Sequence, residues 1–218
     1  PRASHTRKLI DAAPRLDGAS PPPPESGDLV LEADDVSVSY AERNERRQLH
    51  AVTNLDLKLQ AGETVAVVGE SGSGKSSVVR AVLGLVPMRA GRVAFCGQDI
   101  GGPVQARAIE IRRDLQLVFQ DPAGSLNPQL RIERIIAEPL TVHAPELDAK
   151  ARSERVADAL QRVGLDEDLL NRFPHQLSGG QAQRVAIARA LIVNPRVLVC
   201  DEAVAALDGS VRRQILEL

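Results

Sequence analysis

The amino-acid sequence predicts an α/β fold with an antiparallel β subdomain at one edge and a helical subdomain inserted into the core. The apolar run 64–68 has the character of a buried strand, and it leads through a glycine-rich octet into a helix over 77–83. Residues from about 127 to 194 turn helical, and a second buried strand follows at 197–200. A strand–loop–helix unit and a later buried strand, separated by a helical insertion, are typical of an α/β core.

Composition limits the domain count and the class of protein. A chain of 218 residues suits one sizeable domain, or one domain with a tail. A hydrophobic fraction of 43%, a charged fraction of 26% and a formal charge of −2 exclude a strongly basic nucleic-acid binder and a disordered chain. Cys96 and Cys200 form no C-x-x-C pair, and we predict two small buried side chains in a reducing compartment.

Outside the glycine-rich octet and the helical insertion, the sequence predicts a linker followed by several strands. Residues 20–27, SPPPPESG, have the composition of a stiff linker, which separates a short upstream segment from a domain beginning at about 29. Alternating apolar residues predict strands over 29–40 and 54–59, with a charged loop over 42–48 between them. Further along, the pattern predicts a hairpin over 92–98 and a strand over 115–119.

The octet at 69–76 fits G-x-x-x-x-G-K-[ST], the phosphate-binding P-loop. Its glycines let consecutive amides point inward as an anion nest, and the helix starting at Lys75 adds its N-terminal dipole. Lys75 neutralises phosphate charge, and the Ser76 hydroxyl can ligate Mg²⁺. The alternative is a glycine-rich turn with an incidental lysine. The residues predicted to bind nucleotide here are Gly69, Ser71, Gly72, Ser73, Gly74, Lys75, Ser76 and Ser77.

The helical insertion contains two well-marked helices. Apolar residues at 156, 159, 160 and 163 follow the helical period, and Gly164 ends that helix. Ser178 is a good N-cap for the next helix, and Pro195 follows its end.

The strand at 197–200 ends in two carboxylates, which is a Walker B pattern. Asp201 can hold the Mg²⁺ shell, and Glu202 can orient and deprotonate the attacking water. Strands followed by acids are common for structural reasons alone. Together with an upstream P-loop, the pair predicts phosphoryl transfer.

Residues 177–181, LSGGQ, place two glycines at the start of a helix. The free amides of that N-terminus can approach a phosphate closely. A chain with two phosphate-binding helix starts is expected to make two different contacts with nucleotide. The residues predicted for the second contact are Ser178, Gly179, Gly180 and Gln181.

These motifs resemble those of the ATP-binding cassette (ABC) family: GESGSGKS at 69–76, LSGGQ at 177–181 and VLVCDE at 197–202. The resemblance runs from about residue 29 to the end and implies a P-loop NTPase core. It also implies that the signature LSGGQ completes the ATP site of an opposing cassette, so that two cassettes enclose two ATP molecules.

Three further roles follow from the same resemblance. Tyr40 matches the aromatic residue that stacks on adenine, and Gln120 matches the glutamine that senses Mg²⁺ and the attacking water. Asp208 matches the loop that faces the partner site. The alternatives are a half-buried strand aromatic for Tyr40, a solvated amide for Gln120 and a helix cap for Asp208.

The segment 118–128 is similar to the extended glutamine loop of importers for dipeptides, oligopeptides and related solutes such as nickel or glutathione. This resemblance implies integral membrane permease subunits, an external solute-binding protein and a peripheral position on the cytoplasmic face. Residues 174–176 fit the same branch, and His175 is interpreted as docking the signature helix rather than as a catalyst.

The two ends of the chain carry further expectations. Residues 5–16 resemble the extension that follows the cassette in peptide-importer ATPases, which implies that 1–28 are the tail of a preceding cassette plus a linker in a fused subunit. The cassette itself is expected at 29–218. Its core is expected to be truncated, because none of the four histidines lies beyond Glu202, where the family has a switch histidine. Ala205 stands at the usual serine or threonine.

The sequence therefore predicts an ATPase that powers solute import, in the first place of di- and oligopeptides, with ATP and Mg²⁺ as cofactors. The predicted catalytic residues are Glu202 and Gln120, and the predicted metal ligands are Ser76, Gln120 and Asp201. One alternative is a half that holds ATP without turning it over. The other is a non-transport cassette, such as a translation factor or an SMC-type machine. SMC chains carry long coiled coils, and this sequence has no heptad run that would form one.

Overall fold

The computed structural model describes residues 27–41 and 48–203, which divide into two units between Leu115 and Gln116. The predictions for the tail and most of the linker, for the loop at 42–47, and for Ala205 and Asp208 fall outside the described residues.

An antiparallel sheet of four strands, in the order β2-β1-β3-β4, forms the body of the first unit. The strands predicted over 29–40, 54–59 and 92–98 are confirmed, and Gln48 belongs to a strand rather than to the predicted charged loop. The strand bounds are β1 Leu29–Ala41, β2 Gln48–Gln60, β3 Ala90–Phe95 and β4 Gln98–Asp99.

A bulge in β1 keeps one face of this sheet apolar along its whole length. Leu31 and Ala33 are buried before the bulge, and Val36 and Val38 are buried after it. The change from odd to even positions is made at Asp35, which adopts a left-handed backbone with φ of 52°. Side chains alternate along a strand, so one extra residue is what returns the second half to the buried face.

Helix α1, Lys75–Val82, packs the buried side chains of Val78, Ala81 and Val82 beside this sheet. This confirms the predicted helix, which begins at the lysine of the octet. A 3₁₀ turn at Val104–Ala106 and helix α2, Ile109–Asp114, complete the unit.

The strand predicted at 64–68 is absent, which makes that prediction wrong. Residues 63–70 have no regular secondary structure, and Val65, Val67 and Val68 are 39%, 44% and 90% exposed. A short apolar run is buried as a strand only where neighbouring strands cover it on both sides. In the described part of this unit the four strands pair among themselves, and 64–68 pairs with none of them.

The second unit combines a two-stranded sheet with a cluster of helices. Strand β5, Leu115–Val118, enters this unit at Gln116 and pairs with β6, Val197–Cys200, and both strands were predicted. The helices are α3 Pro122–Ser125, α4 Ile132–His143, α5 Ala149–Arg162 and α6 Gly179–Leu191, with 3₁₀ turns at Glu167–Asn171 and Pro174–Gln176. Among the described residues, no helix is both long and apolar enough to cross a membrane.

The core of the second unit lies between α4, α5 and α6. Val156 and Leu160 are fully buried there, each contributing about 1.5–3 kcal/mol from burial. Gly164 follows α5 in a left-handed conformation, with φ of 67°. The predicted helix and its stop signal are therefore confirmed.

Both cysteines are exposed, so the prediction that they are buried is wrong. Cys96 lies in the turn between β3 and β4, where its backbone is left-handed with φ of 50°. Cys200 ends β6, whose burial declines from Val197 toward its carboxyl end.

Candidate nucleotide site

The octet forms a tight turn that delivers the chain into α1. Gly72 and Gly74 have φ of 81° and 95°, and the Ser73 amide donates to the Glu70 carbonyl at 3.2 Å. Gly74 is the N-cap of α1 and offers no capping side chain. The amides that open α1 therefore present the positive end of the helix dipole, which is a ready site for an anion.

Lys75 supplies a cation at this turn. Its Nζ donates to the carbonyl oxygens of Gly69 and Glu70, at 2.9 and 2.7 Å. The ammonium group is thus held against the same loop that leads into the exposed amides at the start of α1. The combination of left-handed glycines, an uncapped helix start and one cation fits the binding of a phosphate group.

Hydrogen bonds tie both ends of α1 to the rest of its unit. Near its start, the Tyr40 hydroxyl donates to Ser77 Oγ at 3.2 Å. At its end, Arg107 Nη2 donates to the Val82 carbonyl at 2.9 Å, and burial lowers the pKa of this arginine. A cation at a helix C-terminus is favoured by the helix dipole. Tyr40, predicted to stack on adenine, is half-buried and bonded to the P-loop helix.

Gly74→Ala is expected to damage this turn more than a left-handed glycine elsewhere. A Cβ at position 74 would collide with the Ala51 carbonyl oxygen, in addition to straining a backbone with φ of 95°. We expect destabilisation of about 1–3 kcal/mol from the backbone alone, with a further loss from the collision. The control is Gly97→Ala, because Gly97 has φ of 78° and open space around it. Thermal unfolding should show a lower midpoint for Gly74→Ala than for Gly97→Ala, and equal midpoints would contradict the predicted collision.

In the second unit, Gln120 and Glu202 meet although 82 positions separate them. Gln120 Nε2 donates to Glu202 Oε2 at 2.7 Å, and both side chains are exposed. The Asp201 amide donates to the Val118 carbonyl at 3.1 Å, so backbone bonding between the ends of β5 and β6 continues up to this side-chain contact. The structure therefore places the predicted catalytic pair, and the half-buried Asp201, at the ends of two paired strands.

The signature segment starts α6 with a reciprocal cap. Ser178 Oγ accepts from the backbone N–H of Gln181 at 3.3 Å, and Gln181 Oε1 accepts from the backbone N–H of Ser178 at 2.9 Å. This confirms Ser178 as the predicted N-cap. A Cβ at Gly179 or Gly180 would meet nothing within 4 Å. A Cβ at either position would therefore fit against the described residues.

His175 belongs to a stack of side chains ahead of the signature. Its ring lies 5.8 Å from that of Phe173 at an angle of 12°, and Arg131 Cζ lies 5.3 Å from the centroid of the Phe173 ring. Arg131 also donates to the Asn171 carbonyl at 2.7 Å. The exposed His175 thus lies in a segment held to the start of α4.

Two features of these sites have no counterpart in the sequence predictions. Glu202 adopts a left-handed backbone with φ of 52°, which is costly for a residue with a side chain and is often found at functional sites. Arg189 reaches from α6 to the turn that follows Gln120. No local pattern in the sequence marks the conformation of Glu202 or the contact that Arg189 makes.

Comparison with known proteins gives one family. A family model described as ABC transporter matches residues 52–205. The chain is 48% identical over 172 residues to the oligopeptide transport ATP-binding protein OppF of Salmonella typhimurium, covering 79% of the chain and 52% of that protein. It is 43% identical over 223 residues to the peptidoglycan transport ATP-binding protein YejF of Agrobacterium fabrum, covering all of the chain and 40% of that protein. The chain thus spans about half the length of these relatives.

A solved structure is similar to most of this chain. It is described as the dimeric, post-hydrolysis state of an ATP-binding cassette bound to ADP and Pi. The TM-score is 0.76 at 31% identity, with 86% of this chain and 80% of that chain covered.

Proposed function

Since this chain belongs to the ABC transporter family, we propose that it binds and hydrolyses ATP to power the import of peptides across the cytoplasmic membrane. The observation that carries the proposal is the P-loop: an uncapped helix start behind left-handed glycines, with Lys75 held against the loop. The names of the relatives, which are oligopeptide and peptidoglycan transport ATP-binding proteins, support the substrate class. They also disfavour a translation factor or an SMC-type machine.

The residues of the first unit hold the nucleotide in this proposal. The amides of the octet and Lys75 bind the phosphates, because both present positive charge at the same turn. Tyr40 receives the adenine ring on its face. Its hydroxyl is bonded to Ser77, so the ring is oriented by the helix that binds the phosphates.

Glu202 is the proposed general base, and Gln120 orients it. The carboxylate accepts a hydrogen bond from the Gln120 amide at 2.7 Å, which leaves its other oxygen for the attacking water. Mg²⁺, when bound with ATP, neutralises the charge that develops on the phosphoryl group. The proposed ligands from this chain are Ser76, Gln120 and Asp201.

The proposed ligands are one carboxylate and two neutral side chains, a set that suits Mg²⁺ when a nucleotide supplies further oxygens. Among the described residues, no group of three or more histidine, cysteine, aspartate or glutamate side chains could hold a metal ion. Mg²⁺ is typically bound through one or two carboxylates together with the phosphates of a substrate. The metal should therefore bind with the nucleotide rather than before it.

A second cassette is the proposed partner at the signature. Gly179 and Gly180 have open space around them, so the described fold gives no packing reason for glycine there. A surface without side chains beside the start of α6 suits the close approach of another molecule's phosphate groups. We further infer a cassette fused upstream, permease subunits in the membrane and, indirectly, an external solute-binding protein. The chain would then be peripheral on the cytoplasmic face.

The proposal is tested with the full-length protein that carries this chain. Affinity purification from solubilised membranes should recover integral membrane subunits, and reconstituted vesicles should accumulate a labelled oligopeptide only when ATP is supplied. Unlabelled di- and oligopeptides should compete with the labelled peptide, whereas nickel should not. Recovery with ribosomes instead of membrane subunits would point to a non-transport cassette.

A further inference from the structure

The turn after Gln120 packs against α6, while the hydrogen bonds inside it are local. Val118 and Leu126 are buried in the core of the second unit, while Phe119, Gln120 and Asp121 between them are exposed. Bonds inside the turn are local: Asp121 Oδ1 accepts from the Gly124 amide at 3.0 Å, and Ser125 Oγ donates to the Pro122 carbonyl at 2.9 Å. Such local bonds shape a turn but do not fix its position relative to other elements.

Arg189 connects this turn to the signature helix. From the last turn of α6, its Nη1 donates to the Ser125 carbonyl at 2.7 Å, and its Nη2 lies 3.5 Å from Ser125 Oγ. The two nitrogens of the planar guanidinium thus face the backbone and the side chain of one residue. A rigid fork of this kind specifies orientation as well as distance.

Keeping a cation at this place is costly. Arg189 is half-buried, and its burial lowers the pKa of the guanidinium, an effect that the charge of Glu138 opposes. Its two terminal nitrogens face the neutral oxygens of Ser125. An apolar side chain of similar volume is often as stabilising as a buried ionic group, or more so. A contribution to folding therefore gives little reason for arginine at this position.

We propose that Arg189 is a positioning residue, which holds the turn at Ser125 so that the Gln120 amide reaches the Glu202 carboxylate. The helix that carries Arg189 begins at Gly179, directly after its N-cap Ser178. The signature and the catalytic pair are therefore linked through one rigid element, and a movement of α6 is transmitted to Gln120. This inference rests on the proposed function for its catalytic consequence, but not for the mechanical link itself.

The test compares Arg189→Met and Arg189→Lys with the unmodified full-length protein. The matched control is Arg152→Met, because Arg152 is also half-buried and donates to a backbone carbonyl, that of Leu147 at 3.2 Å, within α5 and its N-terminal turn. Hydrogen exchange is measured on the nucleotide-free protein, so that it does not depend on ATP hydrolysis. Thermal unfolding and ATP turnover are measured on the same variants.

Arg189→Met should speed exchange across 119–126 by about tenfold, because it loses a hydrogen bond from a charged donor. Its melting temperature should stay close to that of the unmodified protein. Its kcat should fall about tenfold while KM for ATP is unchanged, because the P-loop is intact. Arg189→Lys keeps a charged donor for the Ser125 carbonyl, so its exchange rate at 119–126 and its kcat should lie close to those of the unmodified protein. Arg152→Met should leave exchange at the turn and kcat unchanged.

Three results would overturn the proposal. Unchanged exchange at 119–126 would mean that Arg189 does not hold the turn. Faster exchange throughout α4, α5 and α6, with a lower melting temperature, would make the residue part of the core only. Faster exchange at the turn with normal kcat would separate the turn from Gln120. Absence of turnover in the unmodified protein contradicts the proposed function instead, and the exchange result then still decides whether the link exists.

Discussion

Glu202→Gln is expected to reduce ATP turnover by at least about 100-fold while leaving ATP binding intact. A positioned general base contributes about 10²- to 10⁴-fold to a reaction rate, and the amide cannot take up a proton from water. The amide oxygen of the new side chain can still accept the hydrogen bond that Gln120 donates to Glu202 Oε2 at 2.7 Å. The substitution therefore removes the base with little change in geometry. Turnover and equilibrium ATP binding are measured on the reconstituted transporter.

The control for this variant is Glu154→Gln, which replaces an exposed carboxylate in α5 whose ion pair with Lys150 spans 3.9 Å. Exposed pairs of this kind contribute about 0–1 kcal/mol, so turnover should be unchanged. If Glu202→Gln also keeps its turnover, the site of this chain holds ATP without hydrolysing it. The signature at 177–181 would then serve chemistry carried out by the other cassette.

Elements with strong local signals were predictable from the sequence. Helix α5 has apolar residues at the helical period and a glycine two residues after its end, and helix α6 is preceded by a serine N-cap whose capping box is completed by Gln181. These signals act over three or four residues, so they need no knowledge of the rest of the fold. The same holds for the turn that leads into α1.

The prediction of a strand at 64–68 failed for the opposite reason. Its five residues are apolar enough for a buried strand, but burial and pairing depend on what lies beside the segment, which no local pattern records. The bulge at Asp35 is a second example. Alternation in β1 was visible in the sequence, while the register shift that brings Val36 and Val38 to the buried face depends on pairing with β2.

The site shows the same division between local and distant information. The types and spacing of residues indicated phosphate binding and a base, yet the hydrogen bond between Gln120 and Glu202 joins residues far apart in the chain. Its existence is a property of the β5–β6 pairing. The link from Arg189 to Ser125 likewise spans 64 positions and has no motif.

Glycines at the two helix starts have different physical origins, although the sequence presents them alike. Gly74 is required by the fold itself, because a Cβ would collide with the Ala51 carbonyl. Around Gly179 and Gly180 the described residues leave open space for a Cβ, so they give no packing reason for glycine at either position. Substitutions at the first position should therefore lower stability, whereas those at the second should affect assembly and turnover.

Lys75→Ala is expected to abolish ATP binding at the site of this chain without unfolding it. The Lys75 ammonium now donates to two carbonyls of the exposed loop, which water can satisfy when the side chain is removed. Hydrogen bonds from a charged donor contribute about 1.5–3 kcal/mol each, so losing two of them to phosphate weakens binding by about 100-fold or more.

Labelling by an ATP photoprobe measures the loss of ATP binding in Lys75→Ala, and peptide mapping assigns the label to this chain. Lys58→Ala is the control, because it removes an exposed lysine whose ion pair with the half-buried Glu32 spans 3.0 Å, and it should leave labelling unchanged. Undiminished labelling of Lys75→Ala would mean that the octet does not hold the phosphates, and the proposed function would lose the observation on which it rests.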